Sequence, residues 1–294
     1  MDQADKLRNI IKASQVASPN NARVITVTSG KGGVGKSNVA INLAVQFRTA
    51  GKRVLIFDAD FGLANIEVMF GAIPKHSLAD LIYQGASIRD VITWGPMGIG
   101  FISGGSGIAG MGNLSRDHLD YLIRNLSELD TMADVIIIDT AAGISEAVLE
   151  FLVASREIIL VTTPEPTSIT DSYSLLKALN LHAKFNKDET KVKVITNKVE
   201  TTEEGKQLYS KLSAVVNRYL KLNMEFLGVI PYDNSLVKAV MQQSPVLISN
   251  PQAKAAKAFQ DVANTLMDIP HTETIYRRGM SGFFANIISG RNFV

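Results

Sequence analysis

The 294 residues contain no cysteine. Disulfides, thiolate zinc sites, thiolate-held iron–sulfur clusters and cysteine nucleophiles are therefore excluded. No run of about 18 apolar residues occurs, so no membrane-spanning helix is expected, and the opening MDQADKLR is polar where a secretory signal carries an apolar stretch. The chain is accordingly expected to be cytoplasmic. Strong charge of either sign is missing too: 30 basic against 28 acidic side chains leave a formal net charge of +2, which offers no bulk argument for specific nucleic-acid binding. Repeats and low-complexity tracts are absent. What remains, 46% hydrophobic and 20% charged residues, is ordinary globular balance at a length that suits one large domain.

Short apolar runs rich in Val and Ile recur between longer helical patterns: VITVTS from Val24, RVLIFD from Arg53, GIGFIS from Gly98, DVIIID from Asp134, EIILVTT from Glu157, KVKVIT from Lys191 and EFLGVIP from Glu225. Runs of this kind suit strands buried on both faces. The segments Ser37–Ala50, Ser115–Leu129, Ser145–Ala154, Ser168–Ala183, Thr202–Leu220 and Pro251–Met267 fit helices, several of them opening on a residue that can cap. The alternation predicts an α/β fold, a mainly parallel central sheet with helices on both faces, with ligand chemistry at the carboxyl ends of the strands. Residues 1–20 and 271–294 stand outside the alternation and read as attachments to a core domain at 21–270.

Between the first strand and the first helix lies Gly30-Lys31-Gly32-Gly33-Val34-Gly35-Lys36-Ser37, which matches GxxxxGK[ST] in the context that the motif requires. Its glycines let successive backbone N–H groups turn toward one anion, and the helix N-terminus adds its dipole. Lys36 can reach the β and γ phosphates of a nucleotide, and Ser37 supplies a hydroxyl for Mg²⁺. Further carboxylates end other strands. Asp58 and Asp60 follow the second, where alternate positions let one approach a metal shell and the other a water, and Asp139 closes the apolar run VIIID.

Lys31, directly after the first glycine of this loop, makes it resemble the deviant phosphate loop of the ParA/MinD group of ATPases. The resemblance implies bound ATP or ADP with Mg²⁺, a homodimer in the ATP state, and a Lys31 that crosses the dimer interface to the partner's phosphates. It implies that Asp60 positions the attacking water, that Asn65 belongs to the same first switch, that Asp58 and Asp139 join Ser37 at the metal, and that Gly143 lies near the γ-phosphate. Asn197 in VITNKVE matches the family's adenine reader, and Pro231 with Asp233 in IPYD match its base-packing loop. NKVE also resembles the guanine-reading NKxD element, but Glu200 is a methylene too long, which favours ATP over GTP. Asn38 and Ala141 depart from the family, which has Ser or Thr and Pro there; an Asn38 amide could still serve the α-phosphate.

The two ends narrow the resemblance. Asp2-Gln3-Ala4-Asp5-Lys6-Leu7-Arg8 looks like the DQAxxLR element of the FlhG (YlxH, FleN) family of flagellar placement and number. In that family it activates the GTPase FlhF, which implies partner-activating roles for Gln3, Leu7 and Arg8. At the other end Met280, Phe283, Phe284, Ile287 and Ile288 fall on one helical stripe beside Arg277 and Arg278. The stripe suits an interfacial membrane helix, and full burial of the five side chains would contribute roughly 7 to 15 kcal/mol before ordering costs. The alternative is packing on the chain's own surface, and release from that surface in the ATP dimer would reconcile the two. The implied protein binds membrane lipid peripherally, on the inner face of the cell membrane, in the ATP state. Besides an FlhF-like GTPase, flagellar switch-complex proteins or a flagellar transcription regulator are implied partners. A partition-type ATPase binding nonspecific DNA is the alternative.

Overall fold

The computed structural model describes residues 21–60, 65–104, 116–268 and 279–288. Eight strands form one sheet: β1 (Arg23–Thr28), β2 (Val54–Ala59), β3 (Thr93–Trp94), β4 (Gly100–Ser103), β5 (Val135–Thr140), β6 (Glu157–Thr162), β7 (Lys191–Val199) and β8 (Met224–Pro231). They lie in the order β3-β4-β2-β5-β1-β6-β7-β8. All neighbours run parallel except the two-residue edge strand β3, which is antiparallel to β4. The expected α/β class is the one observed. β2, β5 and β6 are buried along their whole length, as strands covered on both faces must be.

The helices are α1 (Lys36–Thr49), α2 (Asn65–Phe70), α3 (Leu78–Gln84), α4 (Ile88–Val91), α5 (Arg116–Met132), α6 (Glu146–Ala154), α7 (Pro166–Leu181), α8 (Thr202–Leu220), α9 (Asn234–Met241), α10 (Val246–Ser249), α11 (Lys254–Asp268) and α12 (Gly279–Ile288). Side-chain alternation along the strands sorts the core by face. Ile25, Val27, Ile137 and Ile159 pack with α1 and α11 on one face. Leu55, Phe57, Ile136 and Ile138 pack with α5 and α12 on the other, continued by Ile158 and Leu160 against α6, α7 and α8.

The segment GIGFIS becomes a strand only from Gly100, because Pro96–Gly98 forms a 3₁₀ turn with Met97 at φ +58. The short helices α2, α3, α4, α9 and α10 carry too few turns to leave a periodic trace in the sequence. Parallel register decides what the sheet presents at its carboxyl edge: Asp58 of β2 pairs with Asp139 of β5, and Asp139 stands opposite Val27, one residue before the end of β1.

Candidate functional site

The phosphate loop leaves the central strand β1 and ends in α1, whose N-cap Gly35 has φ +97. That position needs glycine twice over, since a Cβ there would also lie 2.4 Å from the Asn197 side-chain nitrogen. Lys36 is buried at the start of α1. Beside the loop, both carboxylate oxygens of Asp139 are buried without a hydrogen-bond partner among the described residues. Burial raises its carboxyl to about pKa 6, with Ser37 and Lys36 pulling it back down. Asp58 is raised further, to about 8, by burial and then by the Asp139 charge. Its oxygens accept from the Asp60 N–H at 3.1 Å and the Ile66 N–H at 3.3 Å.

Two adjacent buried carboxyls with a hydroxyl beside them, and no cation fully compensating them, fit a small divalent cation. Among the described residues no three His, Cys, Asp or Glu side chains form a self-contained cage, which suits Mg²⁺, an ion usually held by one or two carboxylates, waters and substrate phosphates. Asp58 and Asp139 stand side by side across one strand pairing, with Ser37 next to Asp139.

Asp60 accepts from Asn65 Nδ2 at 3.2 Å, which joins the two residues placed in the first switch. The Gly143 N–H donates to the Ser29 carbonyl at 3.0 Å, tying the segment after β5 to the start of the phosphate loop. Lys31 is engaged within its own chain: Nζ donates to Glu165 Oε2 at 2.5 Å and to Thr167 Oγ1 at 2.7 Å, at the start of α7. Lys31 and then the neighbouring Lys198 hold the Glu165 carboxyl below its ordinary range. Nothing in the sequence pointed to Glu165 or Thr167 as its partners.

A pocket of about 270 Å³ opens beside the loop, lined by Gly33, Asn38, Pro231, Tyr232, Leu236 and Val240 among others. Its walls are mostly apolar, as a base needs. Two residues assigned to base contact have other employment. Asn197 donates through Nδ2 to the Val34 carbonyl at 2.7 Å and accepts through Oδ1 from the Lys198 N–H at 2.9 Å, so its amide braces the loop and has one proton and one lone pair left for a base. Asp233 accepts from the Ser235 N–H at 2.7 Å and the Ala255 N–H at 3.0 Å, capping α9 and the first turn of α11; its carboxylate is a structural cap.

The terminal stripe takes the second of the two seats considered for it, the chain's own surface. In this structure Met280, Phe283, Phe284 and Ile287 are buried on the chain's own core. The Phe284 ring meets Phe57 of β2 at 5.7 Å and Phe151 of α6 at 6.2 Å, and Phe283 meets Phe151 at 5.8 Å. These rings lose more water by packing here than a helix standing in solvent could. Ile288 closes α12, but its side chain lies outside the described residues, as do Gln3, Leu7 and Arg8. One carboxylate holds the start of the helix: Asp130 of α5 accepts from the Met280 N–H at 2.7 Å, the Ser281 N–H at 3.4 Å and the Ser281 hydroxyl at 3.3 Å. Gly279, at φ +64, leaves room for it, since a Cβ would sit 2.2 Å from an Asp130 oxygen. No helix among the described residues is long and apolar enough to cross a membrane.

A family model described as ParA, NUBPL iron-transfer P-loop NTPase, matches residues 20–267. The lack of cysteine removes thiolate-held iron from this chain. The chain is 42% identical over 256 residues to the antiactivator FleN of Pseudomonas aeruginosa, covering 87% of this chain and 90% of that protein. It is 32% identical over 296 residues to the flagellum site-determining protein YlxH of Helicobacter pylori, covering 98% of both. In fold it resembles the septum site-determining protein MinD of Pyrococcus horikoshii, solved with Mg-ADP, at a TM-score of 0.65 and 23% identity over 84% of this chain and 97% of that one. Likeness over nearly the whole length, on a sheet that gathers the phosphate loop and its carboxylates at one edge, leaves one conclusion: the chain belongs to the ParA family of P-loop NTPases, is an ATPase, and falls within that family alongside FleN and YlxH.

Proposed function

We propose that the protein is an ATP-driven switch of flagellum placement and number, in which nucleotide state controls both dimerisation and the docking of α12. The observation that carries this reading is the seat of the terminal helix. Phe284 packs on Phe57, the residue before Asp58, and on Phe151 of α6, the helix that follows the Gly143 segment. Both elements that would sense the γ-phosphate and its metal therefore touch the tail. Movement in either one changes the floor on which α12 rests.

In this reading ATP binds with its phosphates in the loop and its adenine in the pocket beside Pro231. Ser37, Asp139 and Asp58 would hold Mg²⁺, which would supply neutralising charge to the phosphates. Lys36 stabilises the transferring phosphoryl group, and Asp60, steadied by Asn65, orients the attacking water. Lys31 leaves Glu165 and Thr167 to reach the phosphates of a second copy. Released α12 helices, two per dimer, bind anionic lipid together with an effective concentration that one alone lacks. The amino-terminal DQAxxLR element acts on an FlhF-like GTPase. The relatives named as an antiactivator and a flagellum site-determining protein support the flagellar setting.

Sedimentation velocity with a non-hydrolysable ATP analogue and Mg²⁺, paired with flotation on phosphatidylglycerol-containing vesicles, tests the proposal. A dimer that floats only with the analogue is expected, and Lys31→Ala should stay monomeric while still binding nucleotide. A wild-type protein that remains monomeric with the analogue would sink the switch.

A further inference from the structure

The turn at the end of β7 carries a cation that the chemistry above leaves unused. Between Asn197 and Val199 the pairing of β7 with β8 slips register, and the intervening Lys198 adopts φ +57, a left-handed conformation that few residues with side chains take up. An irregularity of this kind beside a site re-aims a side chain. Here it turns the Lys198 ammonium onto the phosphate loop, where Nζ donates to the Gly33 carbonyl at 2.8 Å. Asn197 Nδ2 donates to the very next carbonyl, that of Val34, at 2.7 Å. The Asn197 Oδ1 that accepts from the Lys198 N–H at 2.9 Å ties the two clamps to each other.

Peptide planarity converts these outward contacts into inward geometry. The Gly33 carbonyl shares a rigid plane with the Val34 N–H, and the Val34 carbonyl with the Gly35 N–H. In a trans peptide the two groups of one plane point in opposite directions, and no cis peptide occurs among the described residues. Drawing both carbonyls toward β7 therefore turns the Val34 and Gly35 N–H groups away from it, into the concave side of the loop. A donor fixed before the anion arrives costs less order on binding than one that must be recruited.

We propose that Lys198 is a positioning residue for the phosphates, acting through the Gly33 peptide to preset the Val34 N–H, while Asn197 does the same for Gly35. The donors hold phosphate equally in the ground and transition states, so the effect falls on affinity and not on the chemical step. The left-handed backbone of Lys198 is the conformational cost of aiming the ammonium at a loop carbonyl instead of at solvent.

The experiment is titration calorimetry with Mg-ADP and with adenosine, alongside steady-state ATP hydrolysis, on the full chain carrying Lys198→Met or Lys198→Gly. Glycine accepts the left-handed turn without strain and so separates loss of the cation from loss of the fold. Both variants should bind Mg-ADP about tenfold more weakly and show a KM raised to match, with kcat within about twofold and a much smaller loss for adenosine, whose pocket Lys198 also lines. Lys198→Arg should recover most of the loss. Wild-type affinity for Mg-ADP in the glycine variant, or an equal loss for adenosine, would overturn the assignment. A wild-type chain that binds no Mg-ADP would overturn it together with the nucleotide reading.

Discussion

Two buried carboxylates, Asp139 the more deeply enclosed, end in opposite circumstances. Asp130 accepts three hydrogen bonds from the first residues of α12, and the apolar cluster around it is closed. Asp139 accepts none among the described residues and faces a second carboxyl, Asp58, across one strand pairing. Water removed from a charge must be replaced, by donors or by a cation. At Asp130 the chain supplies the donors itself, so that region is complete. At Asp139 Ser37 and Lys36 compensate the charge only in part, since the carboxyl still stays raised to about pKa 6, and the remainder is what a bound cation would supply. α6 joins the two regions: its amino end follows the Gly143 segment and its Phe151 forms part of the floor under α12.

The sharpest way to break the comparison is to disable the incomplete site. Lys36→Ala should lower ATP turnover by about a hundredfold or more, the scale of one lost preorganised donor to a developing anion, as phosphate release would record. It should leave α12 docked, as protection of that helix from proteolysis would show. Next in size is the penalty stored in Asp58. Its carboxyl is raised to about pKa 8, so the penalty for carrying its charge is absent below the ordinary carboxylate value and complete above about 8. Asp58→Asn should therefore melt higher than wild type without nucleotide, by a margin that widens as pH rises from about 4 to about 8. Scanning calorimetry at several pH values checks the sign.

At the complete site, Asp130→Ala leaves two N–H groups of α12 and a hydroxyl without their acceptor. A loss of about 1 to 3 kcal/mol in stability is expected, with vesicle binding that no longer waits for ATP. Smallest is the cap that starts α6, where Ser145 Oγ accepts from the Val148 N–H at 3.4 Å. Ser145→Ala should cost about 1 kcal/mol or less and loosen both regions together, visible as faster amide exchange in α6 and α12.

Much of the candidate site's edge was legible in the sequence. The glycine spacing of residues 30–37 and the carboxylates closing β2 and β5 are local signals, because a phosphate loop and a strand-end acid need only their own neighbours in sequence to be recognisable. The sheet was legible for the same reason, its strands being continuous apolar runs. Asn197 was read as a base contact; its hold on the Val34 carbonyl was not legible, since that depends on how the end of β7 bulges. Asp233, too, was read as a base contact, yet its oxygens cap two helices, the second through the Ala255 N–H 22 residues further on.

The amino-acid sequence by itself determined the α/β class, the phosphate loop and the set of acids, and it put Met280, Phe283, Phe284, Ile287 and Ile288 on one helical stripe, because each of these follows from spacing along one short segment. Only the tertiary structure decided where that helix rests, that Lys31 is held by Glu165 and Thr167, and that Asp139 rather than Asp130 is the unsatisfied carboxylate. The physical reason is separation: Met280 and Asp130 are 150 residues apart, Lys31 and Glu165 are 134 apart, and pairing at such distances is set by how the layers stack on the sheet, which no local pattern records.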